Sequence, residues 1–363
     1  MNANWRSVWM LKLRDRDAIL TRDDLIFRVY GYIHPSCAYI CDPEYASPKI
    51  FKSTNPRAKR GVINPLYYKF FTDEGLKLVF KKFPQYVLYY EPLQKYLVGV
   101  NEEDIIKVRK PDVQLIQLLA NEPDDALLET FQNLFFRILS QSGLKEEDFG
   151  VFGSLLHGFY HPKFSDLDFI VYGKENTRRL RQALATLYKE DSHLRNEFDY
   201  LKAVEAKDWK FVNYSLKEYL WHQRRKMIYA YYDSKEVGRV VKVEFEPVKN
   251  WNENVNTYNS ATRIFHEGWI RAIVEITNSE DAPFIPSVYQ IEVKNILEGP
   301  KVDDITRIFS YMEEFRMQAK QGEQVLVEGN LERIMNGTNT NHQITLSYGP
   351  RYYEQTLKVI KPI

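Results

Sequence analysis

Cysteine is nearly absent: Cys37 and Cys41 are the two in 363 residues. A disulfide-stapled secreted scaffold is thereby excluded, and a reducing compartment is expected. With no further thiols or paired histidines at ligand spacing beside them, the two read as small buried hydrophobes. Net charge is scarce too. Lys and Arg number 50 against 49 Asp and Glu, so no global field draws the chain to nucleic acid or to a membrane, and any basic surface must be local. Long apolar runs are missing; none approaches the roughly 18 residues of a membrane helix. Met1 is followed by Asn, Ala, Asn, Trp and Arg, without the apolar core of a leader. No membrane contact and a cytoplasmic location are expected. Internal repeats and low-complexity tracts are also lacking. Aromatics are plentiful, with 25 Tyr and 21 Phe, on a chain long enough for two or three domains.

The texture changes twice along the chain. Residues 1–110 are a mixed, mostly extended module. Trp9–Leu13, Leu25–Tyr32 and Tyr86–Tyr90 are rich in β-branched and aromatic residues,. A turn-rich segment, Pro48–Val62, carries the basic cluster Arg57, Lys59 and Arg60, which suits a solvated loop or, less simply, a phosphate contact. From Pro111 the spacing becomes helical. Leu127, Leu128, Phe131, Leu134, Phe135 and Ile138 share one helix face,. Pro123 and two aspartates open that helix and Ser142-Gly143 ends it. Further helices are expected over residues 177–190 and 214–226. The latter ends in Arg224, Arg225 and Lys226, cations that either complement a helix C-terminus or neutralise a substrate's phosphates. Arg239–Val248 alternates as a half-buried strand, with Glu244 and Glu246 on its polar face. Five asparagines between 250 and 259 mark a loop and a boundary,. Beyond it, short strands separated by turns suggest a small OB-like β-barrel over 262–363.

The chemistry concentrates in Val151–Gly173, VFGSLLHGFYHPKFSDLDFIVYG. Gly153-Ser154 opens a loop able to offer backbone N–H groups and a hydroxyl to a phosphate. Asp166-Leu167-Asp168 then opens an apolar run, Phe169–Tyr172. Strand side chains alternate faces, so Asp166 and Asp168 share one face while Leu167, Phe169 and Val171 take the other. Two carboxylates on one face of an apolar strand are costly without a cation between them. Hard oxygen ligands of this kind suit Mg²⁺ or Mn²⁺.

Gly153, Ser154 and the Asp166-x-Asp168 pair resemble the signature of the DNA polymerase β-like nucleotidyltransferase superfamily, tightly over Val151–Gly173 and more loosely to about Lys249. More widely, the chain is similar to uncharacterised archaeal proteins predicted to be nucleotidyltransferases, on the stretch Arg14–Pro35, the central site and the C-terminal β segment. The resemblance implies an α+β fold. Its core, at 111–261, would be a mixed sheet with helices on one face, flanked by the mostly extended module and the OB-like barrel. It implies two Mg²⁺ or Mn²⁺ ions held by Asp166, Asp168 and a third carboxylate. Glu244 is the first choice for that third ligand and Glu246 the second, because Pro247 already ends the strand. Gly153, Ser154 and the following helix N-terminus would bind the phosphates of an NTP donor. Arg224, Arg225 and Lys226 would assist, and nucleic acid is the favoured acceptor.

One departure lies at His157, before Gly158, where many relatives carry a stronger cation; a neutral imidazole binds phosphate less well. His157 and His161, four apart, also have the spacing of a zinc pair, but Gly158 and Pro162 oppose a continuous helix there. Two other functions fit the same residues: a catalytically silent nucleic-acid-binding protein, and a two-metal phosphodiesterase or nuclease.

Overall fold

The computed structural model describes residues 11–61, 66–199, 210–255, 258, 261–349 and 351–360. The chain divides into two compact units, one of residues 1–90 and 95–110, the other of 91–94 and 111–363. The fold is α+β, with several sheets.

In the first unit, β1 (Ala18–Thr21), β2 (Leu25–Val29), β3 (Ala38–Ala46), β4 (Lys59–Arg60), β5 (Tyr67–Lys69), β6 (Val87–Tyr90), β7 (Lys95–Asn101) and β8 (Ile105–Arg109) join one antiparallel sheet. Ile19, Phe27, Val29, Tyr39, Val98 and Val100 form its core with Val79, which comes from α1 (Glu74–Lys82). That helix was not anticipated. Leu11–Leu13 is not a strand, while Trp9 and Met10 lie outside the described residues. Cys41 is buried as expected, but Cys37 is exposed, because its left-handed φ of 59° sets it in the turn before β3. The four charges of Arg14–Asp17 are all buried. Asp15 accepts the Gly31 N–H at 3.1 Å, and Asp17 accepts Lys110 Nζ at 3.0 Å and the Arg14 N–H at 3.1 Å. Paired in this way, the buried charges are tolerated.

The second unit opens with α2 (Pro111–Leu119) and α3 (Ala126–Ser142). Asp125 caps α3 by accepting from the N–H groups of Leu127 and Leu128 at 2.9 and 3.0 Å. Gly143, at φ 60°, ends it. There follow β9 (Phe149–Val151), α4 (Gly153–His157), β10 (Leu167–Tyr172), α5 (Lys174–Glu190), β11 (Leu194–Asn196), α6 (Leu216–Arg224), β12 (Tyr229–Ser234) and β13 (Arg239–Val248). These strands pair in the order β11-β12-β13-β10-β9. The contact between β10 and β13 is parallel and the other three are antiparallel.

The pleat sorts the residues. Leu167, Phe169 and Val171 of β10, with Val241, Val243 and Phe245 of β13, join the core made by Phe131, Phe135, Leu180 and Leu184 of α3 and α5. Phe169 stacks between Phe131, at 5.0 Å, and Phe245, at 5.4 Å. Such aromatic packing, largely removed from water, is the main stabilising term of the layer. The opposite face keeps the charged residues.

The remaining strands, β14 (Thr262–Asn278), β15 (Ser287–Glu298), β16 (Ile305–Ser310), β17 (Gln324–Asn336), β18 (Asn339–Leu346) and β19 (Thr356–Val359), pair in the order β14-β15-β16-β18-β17-β19. β14 also pairs with β17 along most of its length, so the sheet curls back on its first strand. β16, missed in the sequence, pairs parallel with β18. Asn336-Gly337 makes the expected turn, with Gly337 at φ 62°. Phe211 and Tyr214 pack into the core of this sheet, and Met317, from the segment before β17, packs into the core of the five-stranded one. Asn256 and Asn259 of the asparagine-rich loop lie outside the described residues.

Candidate active site

The site is assembled from three consecutive elements and one distant strand. β9 leads into α4, a single turn whose five residues are all buried. The Phe152 N–H donates to the Asp168 carbonyl at 2.8 Å, which ties the entry of α4 to β10. Gly153 has φ +61°, and a Cβ built there would lie 2.3 Å from Asp168 Oδ2. Glycine is therefore required twice, for the left-handed backbone and for the close approach of the Asp168 carboxylate. Ser154 Oγ donates to Ser165 Oγ at 3.2 Å, and Ser165 Oγ also accepts the His161 N–H at 2.8 Å. This pair of hydroxyls ties α4 to the residue that precedes Asp166.

Across the sheet, Asp168 pairs with Glu244 in the parallel register of β10 and β13. Residues paired in this way send their side chains to the same face, about 4.8 Å apart at the backbone. Asp168 and Glu244 thus share one face, with Gly153 beside it; Asp166 lies just before β10, within reach of the Glu244 charge. Asp166 keeps access to solvent, yet the protein around it partly desolvates its carboxyl. That desolvation, with the charges of Glu244 and Glu197, raises it above the usual carboxylate value, against the opposing pull of Lys242 and Arg239.

Lys242 lies two residues before Glu244 on the same strand face, and its ion pairs were not foreseen. Its ammonium contacts Glu244 Oε1 and lies 3.8 Å from Glu197 Oε2. Glu197, directly after β11, is 1% exposed. Burial opposes Lys242's charge, but Glu244 and Glu197 outweigh it and hold the ammonium above its ordinary value. Arg239 donates to the Ser165 carbonyl at 2.6 Å, on the Asp166 side. Lys242 was legible in principle, because the period that aligned Glu244 with Glu246 aligns Lys242 as well. Glu197 carried no local signal.

Glu246, the second choice for a third ligand, is buried in a bidentate pair with Arg316, Nη1 to Oε2 at 2.5 Å and Nη2 to Oε1 at 3.1 Å. The cations that close the 214–226 segment are used structurally. Arg224 pairs with Asp199 at 2.6 Å. Arg225 pairs with Glu323 at 2.6 Å and lies 4.3 Å over the Trp221 ring. Lys226 is fully buried and donates to the Glu314 carbonyl at 2.5 Å; burial and the nearby Arg316 hold its ammonium well below the ordinary lysine value. The charges that act most on Asp166 are Lys242, Glu244, Arg239 and Glu197. The cluster at 224–226 is thus held by Asp199, Glu323 and the Glu314 carbonyl.

His157 ends α4, buried, with its ring stacked on Phe159 at 4.9 Å. His161 Nδ1 accepts the Lys163 N–H at 3.1 Å, beyond the left-handed Gly158. Among the described residues, no three His, Cys, Asp or Glu side chains already stand as a metal cage, and Glu244 is turned onto Lys242. The donor set Asp166, Asp168 and Glu244, all hard carboxylates, still fits a divalent cation. No described helix is long and apolar enough to cross a membrane.

Residues 133–232 match the family model of the nucleotidyltransferase domain. That span contains Gly153, Ser154, Asp166, Asp168 and Glu197 and ends before Glu244. The chain is also 24% identical to an uncharacterized protein of Methanocaldococcus jannaschii over 339 residues, covering 92% of this chain and 94% of the relative. The similarity therefore runs through both units. No solved structure matches the chain at a significant level.

Proposed function

We propose that the protein transfers a nucleoside monophosphate from an NTP to a hydroxyl acceptor, releasing pyrophosphate. The observation that carries this reading is the pairing of Asp168 with Glu244 on adjacent parallel strands, with Gly153 closed against the Asp168 carboxylate inside a span that matches the nucleotidyltransferase domain.

Asp166, Asp168 and Glu244 are the residues to hold two Mg²⁺ or Mn²⁺ ions, with Glu244 preferred to Glu246 because Arg316 occupies Glu246. When bound, such ions polarise the phosphoryl oxygens and lower the pKa of the attacking hydroxyl. The chain's own groups do the rest. Gly153 and Ser154 orient the donor's terminal phosphates. The acceptor oxygen bonds to the α-phosphorus, the bond from that phosphorus to the bridging oxygen breaks, and pyrophosphate leaves with the electron pair. Glu244 takes the acceptor's proton. Phosphoryl transfer of this kind is mostly positioning and charge neutralisation, which a rigid strand pair supplies.

Nucleic acid is the acceptor class we favour. The curled sheet over 262–363, with its ring of pairings and one parallel contact, supports a small barrel of the OB kind, an architecture that commonly binds single strands. We take 1–110, 111–261 and 262–363 as the working domains of a cytoplasmic enzyme.

The test is incubation with each α-labelled NTP, Mg²⁺ or Mn²⁺, and total cellular RNA, DNA and protein in turn. The expected result is label on one acceptor class together with pyrophosphate. Cleaved phosphodiester without pyrophosphate would instead make the site a nuclease. Neither product with any acceptor would leave a binding protein.

A further inference from the structure

Lys242 carries a role that the transfer reaction does not require. It stands on β13 two residues before Glu244, so the strand's period of two forces it onto the carboxylate face. Its ammonium contacts Glu244 Oε1, the group assigned above as the third metal ligand, and lies 3.8 Å from Glu197 Oε2. The charges of Lys242 and Arg239 act on Asp166 together with those of Glu244 and Glu197, and Lys242 feels Glu244, Glu197 and Asp166. Arg239 is turned to the Ser165 carbonyl. The lysine is therefore a cation already seated on one of the proposed ligands.

The two partners of Lys242 differ in one decisive respect. The Glu197 side chain is 1% exposed, whereas that of Glu244 is 27% exposed. Stranding a buried carboxylate is costly, but exposing a half-buried one to solvent or to another cation is not. Of its two contacts, the one to Glu244 is the easier to give up.

We propose that Lys242 is an internal counter-cation that occupies Glu244 in the absence of metal, and that a divalent ion gains Glu244 only by displacing it, after which the ammonium stays on Glu197. Loading is an exchange of cations on Glu244. No bond is made or broken covalently, and no proton need move. The exchange sets a threshold: an aquo ion alone competes poorly with a tethered ammonium, while an ion that arrives with triphosphate oxygens brings ligands of its own. Lys242 is thus a positioning residue that biases the site towards loading with nucleotide. This inference rests on Glu244 and Asp168 being metal ligands.

Mn²⁺ binding without nucleotide, followed by electron paramagnetic resonance of the free ion, tests it in wild type, Lys242→Gln, Glu197→Gln, the double variant and Asp168→Asn. The double variant leaves no buried carboxylate without its cation, so it guards against misfolding of Lys242→Gln. Lys242→Gln and the double variant are expected to bind Mn²⁺ roughly two- to fivefold more tightly than wild type, the worth of one partly exposed ion pair. Glu197→Gln is expected to bind more weakly, because the lysine then belongs wholly to Glu244. A lysine without bearing on the metal site would leave Mn²⁺ affinity unmoved in both single variants. Equal or weaker Mn²⁺ binding by the double variant, with Asp168→Asn still abolishing binding, overturns the role of Lys242 alone. Binding that Asp168→Asn leaves intact, or no binding in any variant, overturns the metal site itself and this inference with it.

Discussion

Arg316 grips Glu246 through both guanidinium nitrogens, at 2.5 and 3.1 Å, in a pair closed to solvent. The arginine comes from the segment between β16 and β17, and the carboxylate from the strand that also bears Glu244. Burial alone would push the guanidinium down; Glu246 and Tyr229 outweigh that and hold it well above its ordinary value. Two glutamates that alternate on one strand face are thereby divided between structure and chemistry. Removing one partner of such a pair leaves a charge without compensation. Arg316→Met should destabilise the second unit by about 3–5 kcal/mol. Arg316→Met with Glu246→Leu should recover much of that loss. Urea unfolding of wild type, Arg316→Met, Glu246→Leu and the double variant checks both statements, and an additive double variant would deny the coupling.

The same division predicts how activity and stability separate. Asp166→Ala, Asp168→Ala and Glu244→Gln should each lower nucleotide transfer by about a thousandfold or more, since each removes a group from the reacting centre. Their melting temperatures should stay close to wild type, because none of the three lies in the apolar core. Glu246→Gln should behave in reverse, with a lowered melting temperature and transfer retained by the folded fraction. Loss of turnover in Glu246→Gln at unchanged stability would move the third carboxylate to Glu246.

In the first unit, two buried groups should tilt stability with pH in opposite senses. Burial is the main cause that raises Asp17 from 3.8 to about 6, against the pull of Lys110 and the Arg14 N–H. Its contribution is fully present below pH 3.8 and is lost as pH rises through 6. Burial lowers His34 from 6.5 to about 4, and its Nδ1 accepts the Ile40 N–H at 3.2 Å. Its contribution is present above pH 6.5 and is lost as pH falls through 4. Each amounts to about 3 kcal/mol across the window. The stability of wild type relative to Asp17→Asn should therefore fall between pH 4 and 6.5, and relative to His34→Gln it should rise. Denaturant unfolding at several pH values gives both slopes, and slopes of the same sign would contradict the assignment.

Acceptor binding is better tested by single substitutions than by removing 262–363, because that truncation would strip Arg316 from Glu246. Tyr348 is 57% exposed and stacks on Tyr352 at 5.1 Å, while the Arg351 guanidinium lies 3.7 Å over Trp269. An exposed tyrosine ring of this kind suits stacking by an unpaired base. Tyr348→Ala should weaken single-stranded RNA or DNA binding by about 1–3 kcal/mol, measured by fluorescence anisotropy. Unchanged affinity for both would take this surface out of acceptor recognition.

Much of the site was legible because its signals are local. The Gly-Ser turn, the Asp166-x-Asp168 alternation and the period of β13 each need only neighbouring residues, and the helices of 111–142 announced themselves by spacing and caps. What escaped notice was distant or doubly interpretable. The Arg224–Lys226 cluster reads equally as a phosphate contact and as a set of structural cations. Its partners, Asp199, Glu323 and the Glu314 carbonyl, are set by packing. Helix α1 and strand β16 were missed because short amphipathic segments carry weak periodicity.

Taken alone, the sequence determined which residue types sit together on a strand face: Lys242, Glu244 and Glu246 on one strand, and Asp168 near the start of another, with Asp166 just before it. Alternation of the backbone settles that without any tertiary contact. Only the tertiary structure decided that the two strands lie side by side with Asp168 opposite Glu244, that Arg316 claims Glu246, and that Lys242 bridges Glu244 to a buried Glu197. Those are outcomes of sheet register and of burial. Register is chosen by the sum of apolar contacts beneath the sheet, and a buried charge takes the partner that packing brings within reach.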